Sequence, residues 1–177
     1  MADVTIHLLT EADAEDILHF ELENRAFFAA TQSDRGDDYF NLDHIRDGLR
    51  EVVREQVKGE SYMYLVRDRA GEAVGRINLY DIDYGNIQRA EVGYRIAQRH
   101  NGKGCATQAL AQVLQDAFGK YGLHGVEANT TPDNIGSQIV LIRNGFEFVG
   151  RSRDYIRVQG VWRDFVHFAK IAPSNLT

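Results

Sequence analysis

Apolar residues recur along this chain at two spacings, every second position and every third or fourth, and the switches between them mark out the elements. Val4 to Leu9 reads as a short strand. Thr10 follows as an N-cap with Asp13 in the capping-box position, opening a helix that runs to about Phe27. Ala29 to Asn41 is polar, with a loop at Gly36-Asp37-Asp38. Leu42 to Lys58 is helical in pattern, with Ile45, Leu49, Val52 and Val53 on one face. Tyr62 to Arg67 and Ala73 to Tyr80 read as strands around a hairpin turn at Asp68-Arg69-Ala70-Gly71, and Tyr84-Gly85-Asn86 is the next turn.

In the second half, Ala90, Val92, Tyr94 and Ile96 share one face of a strand, with Glu91, Gly93 and Arg95 on the other. A helix from Gly104 to Tyr121 carries a broad apolar stripe and stops at Gly122. Gly125 to Asn129 is a short strand, and Asn134 to Arg143 a helix ended by Asn144-Gly145. Phe146 to Val158 and Val161 to Ile171 are strands joined by a tight turn at Gln159-Gly160. Antiparallel strands followed by strand–helix alternation predict an α/β or α+β sheet with helices on both faces.

Composition narrows the class. The 177 residues suit one domain over 1–177, and 44% hydrophobic with 26% charged residues is a globular balance. No apolar run reaches membrane-span length and the N-terminus lacks signal-peptide blocks, so no membrane partner is expected. The lone cysteine suits a reducing, cytoplasmic location. The net charge of −6 argues against a nucleic-acid partner and is better matched to a cationic acceptor. The six histidines show no ligand spacing, and no metal is expected.

The most specific stretch is Arg99-His100-Asn101-Gly102-Lys103-Gly104-Cys105-Ala106-Thr107, a Gly-rich turn between a strand and a helix. Such a turn aims several backbone N–H groups one way, and the helix dipole adds a positive end, which together suit a phosphate or pyrophosphate. It is not a nucleotide-binding P-loop, because Gly104 is followed by Cys105 rather than lysine.

The run Arg99-x-x-Gly102-x-Gly104 resembles the acyl-coenzyme A pyrophosphate loop of the GNAT acetyltransferase superfamily. Ala90-Glu91-Val92-Gly93-Tyr94 looks like that family's fourth strand. Asn134-x-x-Ser137 and Asn144-Gly145-Phe146 resemble the helix and turn before its sixth strand. The tail Arg153-Asp154-Tyr155 through Gly160, Trp162, Arg163 and Asp164 looks most like the ribosomal-protein N-acetyltransferases of the Rim type.

The resemblance implies a mixed, mostly antiparallel sheet of six to seven strands, splayed between the fourth and fifth. Pantetheine would insert there and pair with the backbone around Val92, Tyr94 and Ile96. A bulge is expected in the fourth strand near Gly93. Acetyl-CoA would be the acyl donor and an amine, on a protein N-terminus or a small molecule, the acceptor. The last hairpin is open to pairing between two subunits of a homodimer.

Acyl transfer to an amine needs a neutral nucleophile, a donor for the oxyanion and help for the leaving thiolate. Glu91 is the candidate base, directly or through a water; the competing reading is an ion pair with Arg95. Ser137 is the candidate acid, matching a serine of Rim-type relatives. The tyrosine many family members carry one turn later is here Leu141. The competing reading of Ser137 is a helix serine bonded to its own backbone. Asn134 reads as a pantetheine contact, an N-cap, or both. Asn129 reads as a bridge between cofactor and sheet or as a plain turn residue.

Arg99, Lys103 and the amides of Asn101, Gly102, Lys103, Gly104, Cys105 and Ala106 are expected to hold the pyrophosphate, with Thr107 donating its hydroxyl or capping locally. Cys105 at a helix start could have a lowered pKa and act as a covalent nucleophile, although family logic favours direct transfer. The acceptor pocket would draw on Phe27, Phe28, Asp34, Asp37, Asp38, Tyr39, Tyr155 and Trp162. A catalytically silent acyl-CoA sensor is the alternative to an enzyme.

Overall fold

Val4–Leu8 (β1), Tyr62–Asp68 (β2), Ala73–Asp83 (β3), Arg89–Ile96 (β4), Gly125–Thr130 (β5), Glu147–Val158 (β6) and Val161–Ile171 (β7) form one sheet, ordered β1-β2-β3-β4-β5-β7-β6. This is the arrangement in a computed structural model, which describes residues 3–30 and 34–173. The polar stretch expected between 29 and 41 includes 31–33, which lie outside the described residues. Every neighbouring pair is antiparallel except β4 and β5. Those two run parallel because a helix crosses over between them.

Among the described residues four α-helices cover the sheet: Ala14–Ala29 (α1), Leu42–Lys58 (α2), Cys105–Gln115 (α3) and Ile135–Arg143 (α4). The central strands are buried on both faces. On β2, Tyr64 and Val66 join the cluster built by Leu110 and Val113 of α3, while Leu65 between them joins Ile17 of α1 with Ile45 and Leu49 of α2. Cap chemistry sets the helix ends. Asn41 accepts from the amides of Asp43 and His44 at 2.9 and 3.3 Å, and Gly59, at φ 76°, closes α2. Asp13 accepts from the Thr10 amide at 2.9 Å, as the capping box predicts.

The structure departs from the expected pattern at two places that bear on the site. The helix after the Gly-rich turn is not one regular α-helix to Tyr121. Its last turn, Asp116–Lys120, widens to a π-turn in which the Tyr121 amide donates to the Asp116 carbonyl at 2.9 Å. That widening lays Tyr121 flat on Tyr62, with ring centroids 3.5 Å apart, and brings its hydroxyl 2.8 Å from that of Tyr64.

The second departure is the bulge. β4 keeps register with β3 from Glu91 to Ile96, so there is no bulge at Gly93. The irregularity lies on β3 between Tyr80 and Asp83, opposite Glu91 and Arg89, where Asp81 adopts φ 49°. Gly93 instead makes room for a ring: a Cβ there would stand 3.2 Å from Tyr80.

Candidate active site

β4 and β5 are joined by only three residue pairs, Arg89 with Gly125, Ala90 with Val126 and Glu91 with Glu127. Beyond Glu91 the strands diverge, and the edge of β4 from Val92 to Ile96 that faces β5 has no strand partner. The gap opens into a cleft of about 1010 Å³ walled by that edge, the 100–107 turn, the end of β5 and one side of α4. An extended ligand laid in the gap can pair with β4 as an added strand would.

At one end of the cleft Gly102 and Gly104 take φ of 72° and 87°, the left-handed region that glycine enters without strain. Neither would press a Cβ on another protein atom within 4 Å, so their bare faces look onto open space. The amide of Asn101 is used internally, donating to Gln98 at 3.2 Å, which corrects its expected part in the cradle. The amides of Gly102, Lys103, Gly104, Cys105, Ala106 and Thr107 meet no backbone carbonyl among the described residues. Donors left without a backbone acceptor at the start of α3 are the arrangement that suits an anion.

The expected cations are placed differently. Arg99 is held by Glu23 and Glu72 at 3.0 Å each, and neither it nor Lys103 forms the cleft wall. The helical turn at Gln98–His100 carries the Arg99 side chain towards α1 and the β2–β3 turn. His100 and Arg143, which the motif does not single out, do line the cleft. Asn144 ties the end of α4 to the turn, donating to the Thr107 carbonyl at 3.2 Å.

Ser137 stands in the first turn of α4 on the cleft wall. Its amide donates to Asn134 Oδ1 at 3.1 Å, so Asn134 is the N-cap and lines the cleft as well. The Ser137 hydroxyl is 2.9 Å from the phenol of Tyr94, not bonded to its own helix. Burial pushes the Tyr94 phenol up to about 12, the Ser137 hydrogen bond pulling the other way. Leu141, one turn later, is 1% exposed and belongs to the core.

Glu91 sits just behind the wall. Its Oε2 accepts from the Tyr80 hydroxyl at 3.3 Å and from Asn129 Nδ2 at 3.1 Å, and Asn129 itself lines the cleft. The ion pair with Arg95 does not form, because residues four apart on one strand are about 13 Å apart. Arg95 instead binds Glu21 at 2.7 Å, a carboxylate shared with Arg76 at 2.9 Å. Tyr80 escaped the sequence reading, because only the β3–β4 register reveals it.

Cys105 is buried, and burial pushes its thiol up, not down. The side chain packs in the main core with Ala109 and Leu110. The helix-start argument fails because burial in the core outweighs the pull of the helix start on this thiol.

On the acceptor side Phe27, Phe28, Arg163 and Phe165 form the wall, and Gln159 of the β6–β7 turn donates to the Ala29 carbonyl at 2.9 Å. The other expected pocket residues lie elsewhere. Asp34 and Asp37 are bound by Arg25 at 2.6 and 2.8 Å, Tyr39 accepts from Arg76, and Asp38, Tyr155 and Trp162 do not line the cleft. The acidic wall expected for a cation is therefore largely neutralised by arginine.

Comparison with known proteins agrees with this geometry. Residues 3–147 match the family model described as an Acetyltransferase (GNAT) domain. The probable N-acetyltransferase YjcK of Bacillus subtilis is 33% identical over 173 residues, covering 97% of this chain and 96% of that protein. The ribosomal protein uS5-alanine N-acetyltransferase of Escherichia coli is 26% identical, covering 96% of this chain and 88% of that protein. A Mycobacterium smegmatis RimJ structure, in complex with CoA-disulfide, superposes with a TM-score of 0.88 at 26% identity, covering 96% of this chain and 82% of that one.

Proposed function

The chain belongs to the GNAT acetyltransferase family, and from that premise we propose how its cleft works and which amine it serves. It is an acetyl-CoA-dependent N-acetyltransferase of the Rim type, moving an acetyl group to a primary amine. Nothing in the cleft or among the relatives favours a silent sensor.

In our reading the pyrophosphate rests on the amides of Gly102 to Thr107, and pantetheine lies along β4 between Val92 and Ile96, against Asn134 and Ser137. The divergence of β4 from β5 directly beside the free amides of the Gly-rich turn carries this reading. Glu91, lying behind Asn129, takes the proton of the acceptor ammonium through a water. The Ser137 hydroxyl, backed by Tyr94, donates a hydrogen bond to the departing sulfur.

The acceptor we favour is the α-amine of a protein N-terminus, as the name of the E. coli relative says of that enzyme. An α-amine, with a pKa of about 8, loses its proton near neutrality far more readily than a lysine amine at about 10.4. Glu21, Asp34 and Asp37 are already bound by arginines, which leaves little to hold a second ammonium of a polyamine.

The test is a panel of peptides with free N-termini, free lysines and polyamines, mixed with protein and acetyl-CoA. Thiol release should track free N-termini, and mass spectrometry should place the acetyl group on the first residue. Acetylation of polyamines or lysine side chains in preference to N-termini would overturn the acceptor assignment.

A further inference from the structure

A line of side chains crosses five strands behind the cleft, and its hydrogen bonds all point towards Glu91. Asn129 on β5 and His167 on β7 are register partners, with His167 Nδ1 2.5 Å from Asn129 Oδ1. On the far side His167 Nε2 is 2.8 Å from the hydroxyl of Ser152 on β6. At the near end Asn129 Nδ2 and Tyr80 of β3 both donate to Glu91 Oε2 on β4.

The donor inventory fixes the sense of each link. A carboxylate accepts only, so Asn129 turns its NH₂ to Glu91 and its oxygen to His167. His167 therefore donates from Nδ1–H, and in its neutral form accepts a hydrogen bond from the Ser152 hydroxyl at Nε2. If Asn129 turned over, its oxygen would face the carboxylate and repel it. The link also spans the opening of the sheet, because Glu91 and Glu127 are the last pair joining β4 to β5 and Asn129 lies two residues beyond.

We infer that His167, backed by Ser152, is a positioning residue for the Glu91 carboxylate: it locks the Asn129 amide with NH₂ towards Oε2 and leaves Oε1 to receive the acceptor's proton. This rests on the proposed role of Glu91 as base. Among the described residues Oε1 takes no hydrogen bond. The charged groups nearby are otherwise engaged. Arg89 on the same strand pairs with Glu127 of β5, and Asp81 of β3 acts on Tyr80. The carboxylate is thus held by two neutral donors rather than by a guanidinium.

The experiment replaces His167 and follows kcat and KM across pH. His167→Asn keeps a donor near the Nδ1 position, His167→Gln moves it away, and His167→Phe removes it while keeping a ring against Tyr155, whose centroid lies 5.1 Å off. With Gln and Phe, kcat should fall about tenfold, as release of Asn129 from its hydrogen bond to the Glu91 carboxylate predicts. The acid limb of kcat should also move to higher pH, with KM for acetyl-CoA unchanged; Asn should restore most of both. Melting curves identify any variant that does not fold, and the polar Asn and Gln pair keeps the comparison intact without Phe. Glu91→Gln separates the two readings. If it turns over like the parent, the base role itself fails. If it is slow while the Asn and Gln variants share the parent's acid limb, the positioning inference alone is overturned.

Discussion

The phenol oxygen of Tyr94 on β4 lies 2.9 Å from the hydroxyl of Ser137 on α4 and 3.2 Å from the Ser137 carbonyl. That phenol, pushed up by burial, donates to the Ser137 carbonyl and shares a hydrogen bond with its hydroxyl. At the helix position where the superfamily resemblance points to a tyrosine, this chain has a core leucine, Leu141, and a phenol from β4 stands against Ser137. Tyr94→Phe should lower kcat about tenfold while leaving KM for acetyl-CoA within about twofold. Unchanged turnover would remove Tyr94 from the chemistry.

Gly102 faces open space, so a side chain there disturbs the ligand and the local backbone but not the core. Gly102→Val should weaken coenzyme binding about tenfold or more, and a left-handed backbone costs roughly 1–2 kcal/mol for such a residue. Gly102→Asn tolerates that backbone and should recover the stability but not the affinity. Calorimetric titration with CoA against melting curves distinguishes the two effects. Parent-like affinity in both variants would dismiss the loop as the phosphate site.

Cys105 packs in the core with a thiol pushed up by burial. Cys105→Ala should keep most of the turnover and lose about 1 kcal/mol of stability. Iodoacetamide should label the native protein far more slowly than the unfolded one. A folded Cys105→Ala variant that binds coenzyme but does not turn over would restore a covalent route.

Asp13 is almost wholly buried beneath Thr10, His7 and Arg67, with oxygens 2.9 to 3.1 Å from their donors. Burial alone would raise its pKa, yet the bonds from His7 and Thr10 prevail and hold it below the ordinary 3.8. A carboxyl depressed in the folded state stabilises above its unfolded pKa, and that contribution is lost as pH falls through the folded value. Asp13→Asn should therefore be less stable at pH 7 by about 1–3 kcal/mol, the difference shrinking below about pH 4. Urea unfolding at both ends checks this, and a pH-independent difference would contradict it.

Features with a local cause could be read from the sequence. The bounds of α2 were legible because Asn41 and Gly59 cap it, and the turn at Gln159-Gly160 because its left-handed φ values suit those residues. The Gly-rich turn was legible because glycine spacing dictates its backbone. Long-range partners were not. Arg99 looked free for phosphate because Glu23 and Glu72, which hold it, are distant in sequence. The helix to Tyr121 hid a π-turn because five residues are too few to separate one helical period from another. The bulge was assigned to β4 because the sheet opens beside it, yet the irregularity lies on β3 at Asp81. Tyr80, His167 and Ser152 carry no signal of their own; only register across neighbouring strands brings them into line with Glu91.

The backbone ladder between β4 and β5 is three rungs long, with four strands on one side of it and three on the other. The two half-sheets resemble covers on a short spine. On the proposed binding mode, a pantetheine arm threaded along the open margin would add rungs where the spine has none. The two covers would then be braced while the coenzyme is seated and held by three rungs alone once it has left.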